Sequence, residues 1–267
     1  MIILKLGGSL LTDKREKFSV RKGVLERVAK EIKIGAKDGL IIVHGGGSFG
    51  HPIATEYKLE KGMKDRNQII GVALTRKAMG EFNQRVIESL VRHDIPAVAV
   101  QPSANIICRD GRISEMDTGV IERFLELGLV PVLYGDVVLD KNRGFCVLSG
   151  DQIISYLAEH LEAEKVILCA DVDGVFDKNP KEFKDAQLID KINASNFEEV
   201  LSKLKTPSGD VTGGVKGKVL ELVRLANRGI ESVIINGSIP DRLKGALMGE
   251  EVIGTRIEGG AYGKNRF

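Results

Sequence analysis

The sequence predicts an α/β fold in which a mainly parallel sheet is covered by helices on both faces. Short apolar runs of strand character alternate with longer segments of helical spacing. Strands that alternate with helices form right-handed βαβ units, which place the strands side by side in a parallel sheet. Glycine-rich turns follow several of these runs, and ligands of such folds bind beyond the carboxyl ends of the strands.

Six apolar runs predict the strands, at residues 2–6, 40–43, 97–100, 130–133, 165–169 and 232–235. Helices are predicted between them, where apolar residues recur every three or four positions. The residues with this spacing are Val24, Leu25, Val28 and Ile32; Leu74, Ala78, Phe82, Val86 and Leu90; and Val219, Leu222, Val223 and Ala226. Asp110-Gly111 and residues 142–144 are typical of hairpin turns, so some antiparallel strands are expected as well.

The second predicted strand ends in a glycine-rich turn, H-G-G-G-S-F-G-H, that is flanked by His44 and His51. Three consecutive glycines allow successive N–H groups to converge on an anion. Pro52 follows, and proline is favoured at the first position of a helix. We therefore expect the turn to bring an anion to a helix N-terminus, with His51 in the first helical turn as an additional donor.

Two other interpretations of this turn stay open. It also fits the dinucleotide fingerprint G-x-G-x-x-G, and Asp65 lies about 20 residues beyond Gly45, as that fingerprint requires. Asp65 lies in a polar stretch, however, and not at the end of a second apolar strand. An NAD-dependent oxidoreductase is therefore a remote alternative, and a purely structural glycine turn is the other.

Composition excludes several classes of protein. The 267 residues are 43% hydrophobic, which is enough for one large domain or two lobes, and the net charge is +2 from 39 basic and 37 acidic residues. The chain has no excess of charge, only 5% aromatic residues and no Trp, and this composition argues against nucleic-acid binding. No signal peptide is expected, and no run approaches the ~18 apolar residues of a membrane helix. Three widely spaced cysteines, Cys108, Cys146 and Cys169, are expected to be reduced, so the predicted location is the cytoplasm.

Charged residues beside the glycine turns suggest phosphoryl transfer. Lys5 lies in an otherwise apolar strand and is followed by Gly7-Gly8-Ser9; it either reaches a charged ligand or extends to water. Lys14 lies in a run of charges that is equally typical of a solvated surface. Lysines that neutralise a phosphoryl group in transit act by positioning and electrostatics. The motifs of P-loop NTPases and protein kinases are absent.

Further along the chain, three segments extend this pattern. Asp171 and Asp173 follow a strand and could orient lysines, bind a metal, hold a ribose or simply form an Asx turn. Asp151 lies at the start of a predicted helix, where it can act as the N-cap, as a functional carboxylate or as both. Residues 206–218, T-P-S-G-D-V-T-G-G-V-K-G-K, lead into a helix whose first turns carry Lys216 and Lys218, where the helix dipole disfavours cations unless a polyanion is bound.

Together these motifs resemble those of the amino acid kinase superfamily, in the same order and over nearly the whole chain. They are Lys5-x-Gly7-Gly8-Ser9, the H-G-G-G turn, A-D-V-D-G-V-F-D-K-N-P at 170–180 and D-V-T-G-G-V-K-G-K at 210–218. The resemblance implies a three-layer αβα sandwich around a sheet of about eight strands. It also implies that residues 1–164 bind the phosphate acceptor and that residues 165–267 bind MgATP, as two lobes that share one sheet.

Within that superfamily, the second histidine of H-G-G-G-S-F-G-H makes the sequence similar to the archaeal-type isopentenyl phosphate kinases of isoprenoid biosynthesis. The resemblance implies isopentenyl phosphate as the small-molecule substrate, ATP and Mg²⁺ as cofactors, and a homodimer. The implied catalytic residues are Lys5, Lys14, His51, Asp151 and Lys216. The implied substrate-binding residues are Gly46, Gly47, Gly50, His51 and Gly150. The implied ATP-binding residues are Lys5, Gly7, Gly8, Ser9, Gly47, Asp171, Asp173, Gly174, Val175, Phe176, Lys178, Asn179, Pro180, Gly213, Gly217 and Lys218.

A phosphate monoester needs no general base, because its second pKa is ~6 and it is largely dianionic at neutral pH. Met79, Phe82 and Val86 have the spacing to line an apolar slot for the tail of the acceptor, or they are ordinary core residues. The nearest alternative is a fosfomycin-type phosphonate kinase, or another small-acid kinase of the same superfamily, because the fosfomycin kinases have a similar histidine-flanked turn. Such an enzyme would differ in the tail pocket, since fosfomycin is small and polar. No metal-ligating residues are predicted.

Overall fold

The computed structural model describes residues 1–13, 15–36, 38–180, 182–204 and 214–259. The strands in these ranges are β1 (Ile2–Leu6), β2 (Leu40–His44), β3 (Ala97–Ala99), β4 (Ile106–Arg109), β5 (Arg112–Met116), β6 (Val130–Tyr134), β7 (Asp136–Asp140), β8 (Gly144–Leu148), β9 (Lys165–Ala170), β10 (Lys191–Ile192), β11 (Glu231–Asn236) and β12 (Gly254–Ile257). The helices are α1 (Gly8–Leu11), α2 (Lys22–Gly35), α3 (Gly47–Glu56), α4 (Asn67–Arg92), α5 (Pro102–Asn105), α6 (Gly119–Glu126), α7 (Gly150–His160), α8 (Phe197–Lys203), α9 (Gly214–Ala226) and α10 (Arg242–Met248).

Eight of the described strands form the central sheet, in the order β10-β12-β11-β9-β1-β2-β6-β3. The six from β11 to β3 are mutually parallel. Strand β12 runs antiparallel to β11, and β10 pairs with β12 in parallel. The six predicted strands all exist and all lie in this sheet, which confirms the mainly parallel architecture.

Alternate side chains of the sheet enter two separate cores. Ile3 faces a core to which α6, α7, α8 and α9 contribute, whereas Leu4 and Leu6 face a core to which α1, α2, α3, α4 and α10 contribute. Such alternation is expected of strands that are buried on both faces. The predicted three-layer αβα sandwich is therefore confirmed. No helix in the described ranges has both the length and the apolar character needed to cross a membrane.

Four further strands form a small second sheet in the order β5-β4-β7-β8, which the sequence did not predict as a separate unit. The predicted turn at Asp110-Gly111 joins β4 to β5, with both residues at positive φ, and the predicted second turn joins β7 to β8. The Asp140 carboxylate ties the two turns together. It accepts hydrogen bonds from the N–H groups of Asp110 and Gly111 in one turn and of Asn142 and Arg143 in the other.

Helix α3 starts earlier than the sequence predicted. It begins at Gly47, so Pro52 lies inside the helix and His51 lies in its second turn. Proline cannot donate to the carbonyl four residues before it, which is that of Ser48. The N–H group of Phe18 donates to this carbonyl instead, at 3.2 Å. A neighbouring loop thus satisfies the acceptor that Pro52 leaves open, and the helix tolerates the proline.

Candidate active site

The parallel strands of the central sheet end at a cavity of about 640 Å³. The residues that directly follow β1, β2, β6 and β9 line it: Gly7, Gly45, Gly135 and Asp171. The three glycines among them leave the backbone accessible from the cavity. The site therefore lies at the carboxyl edge of the sheet, where open α/β folds bind their ligands.

Two glycine turns meet at the floor of this cavity. A Cβ atom on Gly8 would lie 2.3 Å from the nitrogen of Gly47, and a Cβ atom on Gly45 would lie 2.8 Å from the nitrogen of Gly8. The Thr12 hydroxyl fastens the two turns, because it donates to the Gly8 carbonyl at 2.7 Å and accepts from the Ser48 N–H at 3.0 Å. Glycine is thus required here for the close approach of two backbones. Thr12 is a site-supporting residue that the sequence motifs did not reveal.

A buried ion-pair cluster lies beside the glycine turns. The Lys5 ammonium lies 2.5 Å from Oδ1 of Asp151, and the Lys218 ammonium lies 3.4 Å from its Oδ2. Lys5 comes from β1, Asp151 from the first turn of α7 and Lys218 from the first turns of α9. Gly150 makes room for this arrangement, since a Cβ atom there would be 3.4 Å from Cε of Lys5. Lys5, Asp151 and Lys218 all line the cavity.

The cluster is held together electrostatically. Burial by itself raises the pKa of Asp151, but the two ammonium groups outweigh this effect and hold the pKa below its usual value. Asp151 is therefore a carboxylate at neutral pH. The cluster thus holds two ammonium groups at the cavity, where they can interact with a ligand that has several negative oxygens.

The two histidines of the H-G-G-G-S-F-G-H segment have different environments. His44 is fully buried, and burial lowers its pKa to about 4. Its Nδ1 lies 3.1 Å from the Gly45 carbonyl and its Nε2 lies 3.2 Å from Nδ2 of Asn83, so the neutral ring donates to the first and accepts from the second. His51 instead lines the cavity from α3. His44 is thus part of the support of the turn, whereas His51 belongs to the cavity lining.

Comparison with known proteins agrees with this geometry. Residues 1–236 match the amino acid kinase family. The isopentenyl phosphate kinase of Methanothermobacter thermautotrophicus is 47% identical over 97% of this chain and 99% of its own length. That of Methanocaldococcus jannaschii is 40% identical over 97% of this chain and 98% of its own length. A crystal structure of an isopentenyl phosphate kinase superposes with a TM-score of 0.85 at 44% identity, covering 96% of this chain and all of the other.

The chain belongs to the amino acid kinase family. It is therefore a phosphotransferase, and membership of a kinase family implies ATP as the phosphate donor. Many of the site residues predicted from the family resemblance line the cavity. They are Lys5, Gly7, Gly8, Ser9, Gly46, Gly47, Gly50, His51, Met79, Gly150, Asp151, Asp171 and Lys218.

Lys216 does not line the cavity, although the sequence analysis assigned it a catalytic role. Two residues apart on a helix, Lys216 and Lys218 point in different directions, and Lys218 is the one that reaches Asp151. The motif alone does not fix the helical register that separates the two lysines. Lys14 and Gly213 lie outside the described residues.

Of the three residues predicted to line an apolar slot, one lies at the cavity. Met79 lines the cavity, and its sulfur packs against Gly46 and Gly50. Phe82 and Val86 are fully buried behind it and do not line the cavity. Phe82 stacks on Phe49 with ring centroids 4.6 Å apart, which makes it a core residue. The apolar lining beside Met79 comes instead from Ala54, Val137 and Val147.

Beyond Asp171, the predicted ATP-binding segment also lies away from the cavity lining. Asp173 forms an ion pair with Arg242 and accepts a hydrogen bond from Asn236 at 3.2 Å. Lys178 pairs with Asp185 at 2.6 Å. Asp173 and its partners lie near the carboxyl ends of β9 and β11, so the segment borders the same edge of the sheet.

The other predicted residues of this segment have structural contacts. Gly174 is pressed against Thr255, because a Cβ atom would lie 2.4 Å from the Thr255 hydroxyl, which also accepts from the Val175 N–H at 2.7 Å. Phe176 forms an isolated bridge with Leu188. The Asn179 side-chain amide donates to a carboxylate within its own turn, and Pro180 does not line the cavity. Gly217, which was also predicted to bind ATP, lies in α9 and does not line the cavity either.

Sequence reasoning missed Asp136, a buried carboxylate that lines the cavity. It accepts hydrogen bonds from the N–H groups of Ser103 at 3.2 Å and Val137 at 2.8 Å. Burial raises the pKa of Asp136 above its usual value. The signal was present as Gly135-Asp136 after an apolar run, since β1, β2 and β9 also end at the cavity and are followed by glycine or aspartate.

Proposed function

We propose that this protein transfers the γ-phosphoryl group of ATP to isopentenyl phosphate, which gives isopentenyl diphosphate and ADP. One observation carries the proposal: a single cavity joins the Lys5–Asp151–Lys218 cluster to a glycine turn that carries His51 and to the apolar wall at Met79. The first part suits the phosphates of ATP, the second a phosphate monoester and the third a short hydrocarbon tail. The relatives that are named isopentenyl phosphate kinases support the same acceptor.

The chemistry follows from the charges. An oxygen of the acceptor phosphate attacks the γ-phosphorus, and the bond from that phosphorus to the β,γ-bridging oxygen breaks, so the electron pair leaves with ADP. The acceptor is largely dianionic at neutral pH and needs no general base. The main barrier is repulsion between two polyanions. In the proposal, Lys5 and Lys218 reduce this repulsion at the transferred group, and His51 reduces it at the acceptor.

ATP is proposed to place its phosphates over Gly7, Gly8 and Ser9, next to Lys5, with its nucleoside toward residues 171–180. Mg²⁺ belongs to the proposal as a companion of the nucleotide. The described residues hold no group of three His, Cys, Asp or Glu side chains that could bind a metal. Mg²⁺ that is coordinated mainly by phosphate oxygens and water fits such a site, and it would supply further positive charge to the phosphates.

A homodimer in the cytoplasm completes the proposal. The outer face of α4 exposes Ile69, Ile70 and Leu74 by 56%, 54% and 38%. A second copy that covers this face would remove these apolar side chains from water. The three cysteines are free and buried, as is typical of a reducing compartment.

Phosphorus NMR tests the acceptor directly. The purified protein is mixed with MgATP and, in separate samples, isopentenyl phosphate, a short alkyl phosphate and fosfomycin. A new diphosphate signal with isopentenyl phosphate is expected, with a preference over the short alkyl phosphate of ~0.8 kcal/mol for each additional buried CH₂. Turnover of fosfomycin without turnover of isopentenyl phosphate would replace the proposal with a phosphonate kinase.

Variants of His51 test the acceptor end of the cavity. His51→Gln keeps a hydrogen-bond donor without charge, and His51→Ala keeps neither. Both should raise the KM for isopentenyl phosphate, Ala more than Gln, while the KM for ATP changes little. His160→Ala is the matched control, because His160 lies at the exposed end of α7. Equal effects on both substrates, together with a lower Tm, would make His51 a structural residue.

A further inference from the structure

The β4–β5 hairpin of the small sheet contacts both helices that carry the charged cluster. Its tip, Asp110-Gly111, lies at the N-terminal end of α7, which carries Asp151. Its strand β5 reaches α9, which carries Lys218. The hairpin thus contacts α7 from the first half of the chain and α9 from the second half. The same two helices are joined by the Asp151–Lys218 ion pair.

The contact to α9 is a charge-assisted fork. The guanidinium of Arg112 binds the Glu221 carboxylate with both terminal nitrogens, and the Nη2–Oε2 distance is 3.2 Å. Glu221 is one helical turn after Lys218, so both side chains project from the same side of α9. The Glu221 side chain is only 11% exposed. Bidentate pairs of this kind fix orientation as well as distance, so Arg112 holds the Glu221 side chain in a defined orientation on α9.

The contact to α7 is a hydrogen bond next to Asp151. Gln152 follows Asp151 in the chain, and its side-chain amide donates to the Gly111 carbonyl at 3.1 Å. The tip that receives this bond is itself held by Asp140, which accepts from the N–H groups of Asp110 and Gly111. The hairpin is therefore a firm support and not a loose loop.

We propose that Arg112 is a positioning residue for phosphoryl transfer: through Glu221 it holds α9 so that Lys218 stays on Asp151 at the cavity. This inference rests on the proposed function only in that Lys218 acts on the transferred group. Lys218 needs such support more than Lys5 does. Its side chain is 28% exposed and 3.4 Å from Asp151, whereas Lys5 is 6% exposed and 2.5 Å away.

Kinetics of Arg112→Ala test the proposal. Misplacement of a catalytic group by about 1 Å costs about 100-fold in rate, so kcat should fall between about 10- and 100-fold, with less than about a twofold change in the acceptor KM. Arg112→Lys, which keeps one charged donor, should recover part of the loss. Arg109→Ala is the matched control, since Arg109 is an exposed arginine at the other side of the same turn, and it should keep wild-type kinetics.

A double-mutant cycle separates positioning from a general structural effect. If Arg112 acts through Lys218, then Arg112→Ala should cause less than a twofold further loss in a Lys218→Ala background. If its effect is only to stabilise the fold, the loss should be as large as in the wild-type background. That result, or a kcat of Arg112→Ala within twofold of wild type, would overturn the inference.

Hydrogen exchange gives a measurement that does not depend on the acceptor. Amides of α9 should exchange at least about tenfold faster in Arg112→Ala than in wild type, while those of β1 keep their rates. Unchanged exchange in α9 would overturn the inference even if another acceptor replaced isopentenyl phosphate. If only the proposed function is wrong, the wild-type protein itself does not phosphorylate isopentenyl phosphate.

Discussion

Replacing Asp151 with Asn removes the carboxylate that lies against both Lys5 and Lys218 without changing the size of the side chain. Lys5 is 6% exposed and would lose the carboxylate oxygen that lies 2.5 Å from its ammonium. Breaking a buried ion pair costs about 3–5 kcal/mol. Since ~1 kcal/mol shifts Tm by ~2–4 °C in a protein somewhat smaller than this chain, Tm should fall by about 10 °C. The two ammonium groups should also separate, and kcat should fall by ~100- to 1,000-fold, as when a preorganised electrostatic group is lost.

Calorimetry with and without MgATP provides the decisive assay for Asp151→Asn. The phosphates of ATP supply negative charge to the same lysines, so saturating MgATP should raise the Tm of the variant more than that of wild type. Glu159→Gln is the matched control, because it removes a carboxylate from the exposed side of the same helix, where an ion pair is worth at most about 1 kcal/mol. A variant with the wild-type Tm in the absence of ATP, and with near-normal kcat, would refute this account of the cluster.

Three further predictions concern the surroundings of the cluster. The pKa of His44 is lowered from 6.5 to about 4, so the unfolded state binds the proton first as the pH falls, and the free energy of unfolding should decrease by about 3 kcal/mol across this window. Urea titrations at several pH values should therefore show a different pH dependence of this free energy in wild type and in His44→Gln, and an identical dependence would contradict the prediction. Gly8→Ala places a methyl group 2.3 Å from the Gly47 nitrogen, so Tm and the kcat/KM for both substrates should fall together, whereas an unchanged Tm would mean that the turns can separate freely. Lys218→Ala should lower kcat by ~100- to 1,000-fold and Lys216→Ala by less than about twofold; the reverse order in steady-state kinetics would restore the assignment made from the motif.

The strands and the position of the site followed from local sequence. Buried parallel strands are short runs of apolar residues, and the glycines that follow them identify the ligand-binding edge whatever the tertiary contacts are. Gly7, Gly8, Gly46 and Gly47 were therefore predicted as parts of the site, and all of them line the cavity. The family motifs added the order of the elements and the three-layer arrangement.

The differences between prediction and structure concern contacts between distant segments. The start of α3 depends on Phe18, which satisfies a carbonyl that Pro52 cannot bond. Phe82 has the same helical spacing as a pocket residue, and only its packing against Phe49 shows that it is core. The choice between the lysines of α9 depends on which side of the helix faces Asp151. Periodicity reports that a residue is buried but not which neighbour buries it.

The central place of β1 determines when this molecule can fold. Its first residue pairs with Leu40 on one side and with Lys165 on the other, so the strand needs partners from both halves of the chain. Pairings between such distant residues require the closure of long loops and slow the folding reaction. While the chain is being synthesised, one edge of β1 stays open until β9 emerges from the ribosome, and open edges favour association with other chains. Chaperone protection of the nascent N-terminal half would therefore matter more for this protein than for one whose sheet grows in chain order.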